Sequence, residues 1–157
     1  MLISKTPYRV SFFGGGTDYE GWYKHNSGSF ISMSIDKFCY IYARHLPPFF
    51  EYQSRIVWSK IEQVNDVEQI IHPVIREGLK LERIKDIELH HIGDLPARSG
   101  LGSSSSFSVG LLNVLRAMKG RETDKSKLAI DAIKLERDIL SESGGIQDQI
   151  AAAFGGF

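Results

Sequence analysis

The chain has 157 residues, 42% apolar and 24% charged, which suits one domain with a sizeable core. Nineteen basic residues balance nineteen acidic ones, which argues against a general nucleic-acid or membrane-surface binder. Cys39 is the only cysteine, so an intrachain disulfide and a cysteine zinc site are both excluded.

Met1-Leu2-Ile3-Ser4-Lys5 shows no charged leader ahead of an apolar core, and no run nears the roughly 20 apolar residues of a bilayer span. A cytoplasmic location is therefore expected. Strand signals open the chain around Ile3, Val10 and Phe12 and break at Gly14-Gly15-Gly16. A second β-like run covers 29–46 and stops at Pro47-Pro48; Arg55-Ile56-Val57-Trp58 reads as a short strand. Val67, Ile70, Ile71, Val74, Ile75 and Leu79 then recur at helical spacing, with Pro73 inside the stripe to delay or kink the helix. Ile87–Ile92 alternates as a strand, and a Pro- and Gly-punctuated loop, 93–103, follows it. A helix is predicted from about Ser104 to Lys119, and Asp124 N-caps another to about Glu142. Gly144-Gly145 breaks that helix, leaving a short one over 146–154. Early strands and late helices favour an α+β fold, one domain over 1–157, rather than a doubly wound parallel sheet.

The segment Pro96-Ala97-Arg98-Ser99-Gly100-Leu101-Gly102-Ser103-Ser104-Ser105-Ser106 joins a strand to a helix. Its glycines permit positive φ and a close backbone approach. The helix start offers free N–H groups and roughly half a positive charge, and the hydroxyls add phosphate donors and hard oxygen ligands. The pattern is neither a Walker A loop nor a Rossmann Gly-x-Gly-x-x-Gly. A serine N-cap after a flexible loop is the bland alternative.

That loop resembles the phosphate-binding motif of the galactokinase–homoserine kinase–mevalonate kinase (GHMP) family. Pro7-Tyr8-Arg9-Val10 followed by Gly14-Gly15-Gly16-Thr17-Asp18 resembles the amino-terminal motif of its sugar-kinase branch, and Ser143-Gly144-Gly145-Ile146-Gln147-Asp148-Gln149 resembles the segment holding its catalytic aspartate. The resemblance implies an amino-terminal domain folded like domain 2 of ribosomal protein S5. It implies ATP held by Pro96, Gly100, Leu101, Gly102, Ser103, Ser104 and Ser105. It further implies Asp148 as base with Arg9 beside it, a substrate contact through Gly15, Gly16, Thr17 and Asp18, and Mg²⁺ on Glu136 with Ser104 or Ser103. Bland roles stand beside these: a hairpin turn at Gly14–Asp18, a surface ion pair for Arg9, a helix-start carboxylate for Asp148, and a solvated Glu136 paired with Lys134 or Arg137.

The triple glycine and the serine run look most like the kinases that act on a heptose 7-phosphate. The implied partners are thus ATP and a small sugar phosphate, with transfer expected at O1. Galactokinase- or fucokinase-like acceptors and a non-catalytic sensor are the alternatives, while an S5-like RNA binder lacks its basic stripe. The resemblance implies a second, C-terminal half beyond these residues; without it an apolar surface is expected to lie open and to invite self-association as a homodimer. His90 and His91 are adjacent on a strand, so they cannot chelate together.

Overall fold

In the computed structural model, which describes all 157 residues, β1 (Leu2–Phe13) and β2 (Ile31–His45) form a long antiparallel pair. A hairpin of β3 (Ser54–Val57) and β4 (Ile61–Val64) comes next, and then β5 (Ile87–Gly93). The sheet order is β1-β2-β5-β3-β4, antiparallel except where β3 runs parallel to β5. Three α-helices follow β5, and two lie earlier, Glu20–Tyr23 between β1 and β2 and Pro73–Glu82 between β4 and β5.

Pleat alternation decides which face is covered. Cys39, Ile41 and Ala43 of β2 and Ile87 and Leu89 of β5 are buried beneath the helices, while Glu88 and His90 face the other way. Burial pushes the Cys39 thiol up to about 12, so it is an inert core group. His91 sits edge-on to Phe107 inside, and His90 meets Glu88 outside.

Helix α3 (Ser103–Met118) lies across β1 and β2. Leu111, Leu112 and Leu115 are fully buried, each contributing about 1.5–3 kcal/mol of apolar transfer. Gly110 permits the close approach: a Cβ there would lie 2.7 Å from Thr6 Oγ1. Helix α2 (Pro73–Glu82) packs on α3, as do α4 (Lys125–Lys134) and α5 (Gln147–Phe154). The buried Arg116 guanidinium ties three helices, donating to Glu82 (2.7 Å) and Asp131 (2.8 Å). No helix is long and apolar enough to cross a membrane.

Three boundaries differ from the sequence reading, each for a local reason. The apolar stripe from Val67 divides into a 3₁₀ turn, Val67–Gln69, closed by an Asp66–Gln69 capping box, and a helix with Pro73 as its first residue. Proline is at home there because the missing N–H would be unpaired anyway. Strand β4 was not expected, because its phase is inverted: Ile61 faces solvent and Glu62 faces inward. Glu62 accepts from the Trp58 indole (2.7 Å) and from the Ile71 N–H (2.6 Å), so a buried carboxylate holds the hairpin to the approach of α2. Finally, α4 widens into a π-turn, Leu135–Ile139, and ends at Ser141, whose φ of 55° stops it before Gly144-Gly145.

Candidate active site

Arg9 is the hub. The β1–β2 register slips between Pro7 and Arg9, and such a slip re-aims the side chains beside it. The Arg9 backbone N–H donates to Leu101 O (3.2 Å) and its Nη1 to Gly100 O (2.8 Å). Its Nε (2.9 Å) and Nη2 (2.6 Å) both donate to Asp148 Oδ1. One side chain thus links strand, glycine loop and α5, while Asp148 Oδ2 accepts no hydrogen bond within the chain.

The loop from β5 to α3 is exposed from Pro96 to Gly100. Gly100 and Gly102 are left-handed (φ 76° and 75°), and Gly102 also lies against Arg9, where a Cβ would be 3.4 Å from Cγ. Gly102 is the N-cap of α3 and no side chain caps the helix. Ser106 N–H bonds Gly102 O (2.9 Å), which leaves the N–H groups of Ser103, Ser104 and Ser105 as the free donors of the first turn. Ser106 Oγ donates to Pro7 O (2.8 Å) and pins the helix start to β1.

Glu136 lies in the π-turn and is 5% exposed. It makes no pair with Lys134 or Arg137; Arg137 instead donates to Glu20 (2.5 Å) and to the Tyr23 hydroxyl (3.0 Å) of the one-turn helix α1 (Glu20–Tyr23). Ser105 Oγ donates to Glu136 Oε2 (3.0 Å), as does Gln149 Nε2 (2.5 Å). Burial raises the Glu136 carboxyl above its ordinary range, and the Ser108, Gln149 and Ser105 donors oppose the shift only in part. The serine that meets Glu136 is Ser105, whereas Ser104 is exposed and Ser103 half-buried.

Glu136 Oε1 and Gln149 Oε1 are both buried and make no hydrogen bond of normal geometry, although the equally unpartnered Ser108 hydroxyl lies beside Glu136. A buried carboxylate oxygen without an ordinary partner suits a hard cation, which binds through carboxylate oxygen. The uncapped, left-handed entry to α3 suits a phosphate chain. The residues present therefore fit a nucleotide with its divalent ion.

Asp18 is 4% exposed. Its Oδ1 accepts from Gly16 N–H (3.0 Å) and its Oδ2 from Gln147 N–H (3.1 Å), so the carboxylate holds the start of α5. Gly145 is required there, since a Cβ would fall 1.7 Å from Asp18 Oδ2. Thr17 Oγ1 lies within hydrogen-bond range of two carbonyls, Gly14 O (2.8 Å) and Ser29 O (3.0 Å), which share its one proton, while Gly15 and Gly16 are exposed. Of the four expected substrate residues, Gly15 and Asp18 lie against Gln147, while Thr17 and Asp18 are engaged within the chain. The motif resemblance assigns no role to Gln149 or Gly145, although both lie within the Ser143–Gln149 segment. Helical phase offered a signal for Gln149, which shares the buried face of α5 with Ala152.

The family description "GHMP kinases N terminal domain" matches residues 65–156. D-glycero-alpha-D-manno-heptose 7-phosphate kinase of Campylobacter jejuni is 27% identical over 99% of this chain and 49% of its own length. Galactokinase of Pyrococcus furiosus is 30% identical over 98% of this chain and 44% of its own. The crystal structure of a D-glycero-D-manno-heptose 1-phosphate kinase from Bacteriodes thetaiotaomicron superposes with a TM-score of 0.89 at 26% identity, over 100% of this chain and 55% of that one. The chain spans about half the length of these relatives. With the family match covering more than half of the chain and the same fold recurring in the superposed kinase, this chain belongs to the GHMP kinases, matching their N-terminal domain.

Proposed function

We propose that this chain is the nucleotide-binding half of a sugar kinase that transfers the γ-phosphate of ATP to a hydroxyl of a sugar phosphate. The observation that carries the reading is the link from the glycine loop through Arg9 to Asp148, which puts a carboxylate with one uncommitted oxygen beside an uncapped helix start. Heptose 7-phosphate, taken at O1, is the first acceptor to test, supported by the triple glycine before Thr17 and by the C. jejuni relative. Galactose is the second, supported by the P. furiosus relative.

Phosphoryl transfer needs positioning and charge neutralisation more than covalent chemistry. MgATP, when bound, supplies the phosphoryl group and a cation to offset its charge. Free N–H groups of Ser103–Ser105 hold phosphate oxygens, and Glu136, steadied by Ser105, is the carboxylate for the cation. Asp148 accepts the proton of the acceptor hydroxyl, using the oxygen that Arg9 leaves free. Arg9 offsets negative charge at the same place. A pure sensor has no use for Asp148 and Glu136 so arranged.

The test is ADP release with MgATP over heptose 7-phosphate, galactose, fucose and mevalonate, in this chain and in any longer form of its polypeptide. Release driven by a sugar or sugar phosphate and abolished by Asp148→Asn supports the reading. Nucleotide binding with no release on any acceptor moves the sensor reading ahead.

A further inference from the structure

Three successive residues open α5, and each reaches a different part of the site. Gln147 Oε1 accepts from Ser11 Oγ (2.6 Å) on β1, and its N–H holds Asp18. Asp148 takes Arg9. Gln149, one step further round the helix, is 3% exposed and donates to Glu136 Oε2. With Ser105 on that same oxygen, Oε2 is committed twice, and Oε1 has beside it only the otherwise unpartnered Ser108 hydroxyl.

A core-filling role does not explain this side chain. Burying an amide is costly unless both ends are paired, and Gln149 Oε1 has no donor. A leucine or methionine would fill the space without that cost. The donor to a carboxylate must be the amide NH₂, so the polarity of the contact is fixed by chemistry.

We propose that Gln149 is a positioning residue. It locks the Glu136 carboxylate so that Oε1 faces the cation, and it couples that orientation to the helix that carries Asp148. This rests on the reading of Glu136 as the cation ligand. Groups that orient a metal ligand typically change metal affinity by about 10–100-fold when lost.

The test uses the active polypeptide and Mn²⁺ as probe, with ADP, read by electron paramagnetic resonance alongside steady-state kinetics. Gln149→Met, close in volume and without a donor, is expected to weaken Mn²⁺–ADP binding about 10–100-fold. The acceptor KM should stay as in the parent, and lost turnover should return at high Mg²⁺. Gln149→Asn, too short to reach Glu136, should behave alike and serves if the methionine variant does not fold. Parent-like Mn²⁺ binding in a folded variant overturns the proposal, and so does loss of the fold in both, which would assign Gln149 to the core. Glu136→Gln separates the two readings: if it binds Mn²⁺–ADP like the parent, the cation role of Glu136 fails on its own. If it weakens binding while Gln149→Met does not, only the positioning role fails.

Discussion

Arg9 and Asp148, 139 positions apart in sequence, meet through two hydrogen bonds that converge on one carboxylate oxygen. A symmetric fork on both oxygens would give tighter pairing and a spent carboxylate. The observed geometry keeps the pair anchored and leaves the second oxygen for a proton. Asp148→Asn is therefore expected to lower turnover by about 10²–10⁴-fold with nucleotide affinity nearly unchanged. Its cost in stability is about 1 kcal/mol, since the asparagine Oδ1 still accepts from the buried Arg9 and only the charge assistance is lost. Single-turnover assays, nucleotide titration and thermal melts measure the three quantities.

Glu136 gives a signed pH prediction. Burial holds its carboxyl above the ordinary 4.5, so the folded chain binds this proton more tightly than the unfolded one. Stability of the cation-free protein thus falls as pH rises from 4.5 through the raised folded value. Glu136→Gln relieves that penalty and is expected to raise the melting temperature above that of the cation-free parent on the alkaline side of the transition. The same variant should lose the Mg²⁺-dependent gain in melting temperature that the parent shows with nucleotide. Melts across pH, with and without Mg²⁺–ADP, check both signs.

Asp18 and Gly145 are coupled by contact. Gly145→Ala is expected to destabilise by about 2 kcal/mol or more, because its Cβ would overlap the Asp18 carboxylate. In an Asp18→Ala background most of that cost should vanish, a coupling of about 1–3 kcal/mol. Chemical denaturation of the four proteins completes the cycle, and additive costs would rule the contact out as the cause.

On the open face of the sheet, Glu88 accepts from Arg44 (2.6 Å), Arg55 (2.8 Å) and His90 (3.0 Å). Partial burial alone would raise its carboxyl, but the bonds from His90, Arg55 and Arg44 outweigh that and bring it to about 2. The folded value is depressed, so the stabilisation is complete above about pH 4.5 and fades as pH falls through about 2. Glu88→Gln is expected to cost about 1 kcal/mol at pH 7, with the difference from the parent closing over that acid window.

The glycine loop and the strand-then-helix order were legible because their signals are local: glycines, hydroxyls and a helix start in one short stretch. Glu136 and Ser105 were harder. Adjacent helical residues turn by about 100°, so a shift in the helix start from Ser104 to Ser103 changes which hydroxyl faces inward. Asp18 looked like a free hydroxyl acceptor, and only the return of the chain at Gln147 reveals its backbone partner. Strand β4 escaped because Glu62, normally a surface residue, is its inward side chain, and the groups that make this tolerable lie at Trp58 and Ile71.

The wide turn at Leu135–Ile139 limits how this segment can vary. Leu140 N–H reaches back to Leu135 O (3.1 Å), one residue further than in a regular helix. Removing a single residue from the turn would restore ordinary helical bonding and make the segment more regular by local criteria. It would also swing the remainder by about 100° and carry either Glu136 or Arg137 away from its partner. Insertions and deletions between α4 and Ser141 should thus be rejected in any active descendant of this sequence, even where they raise helicity. A stability screen without an activity readout would select them and fill the library with well-folded, silent proteins.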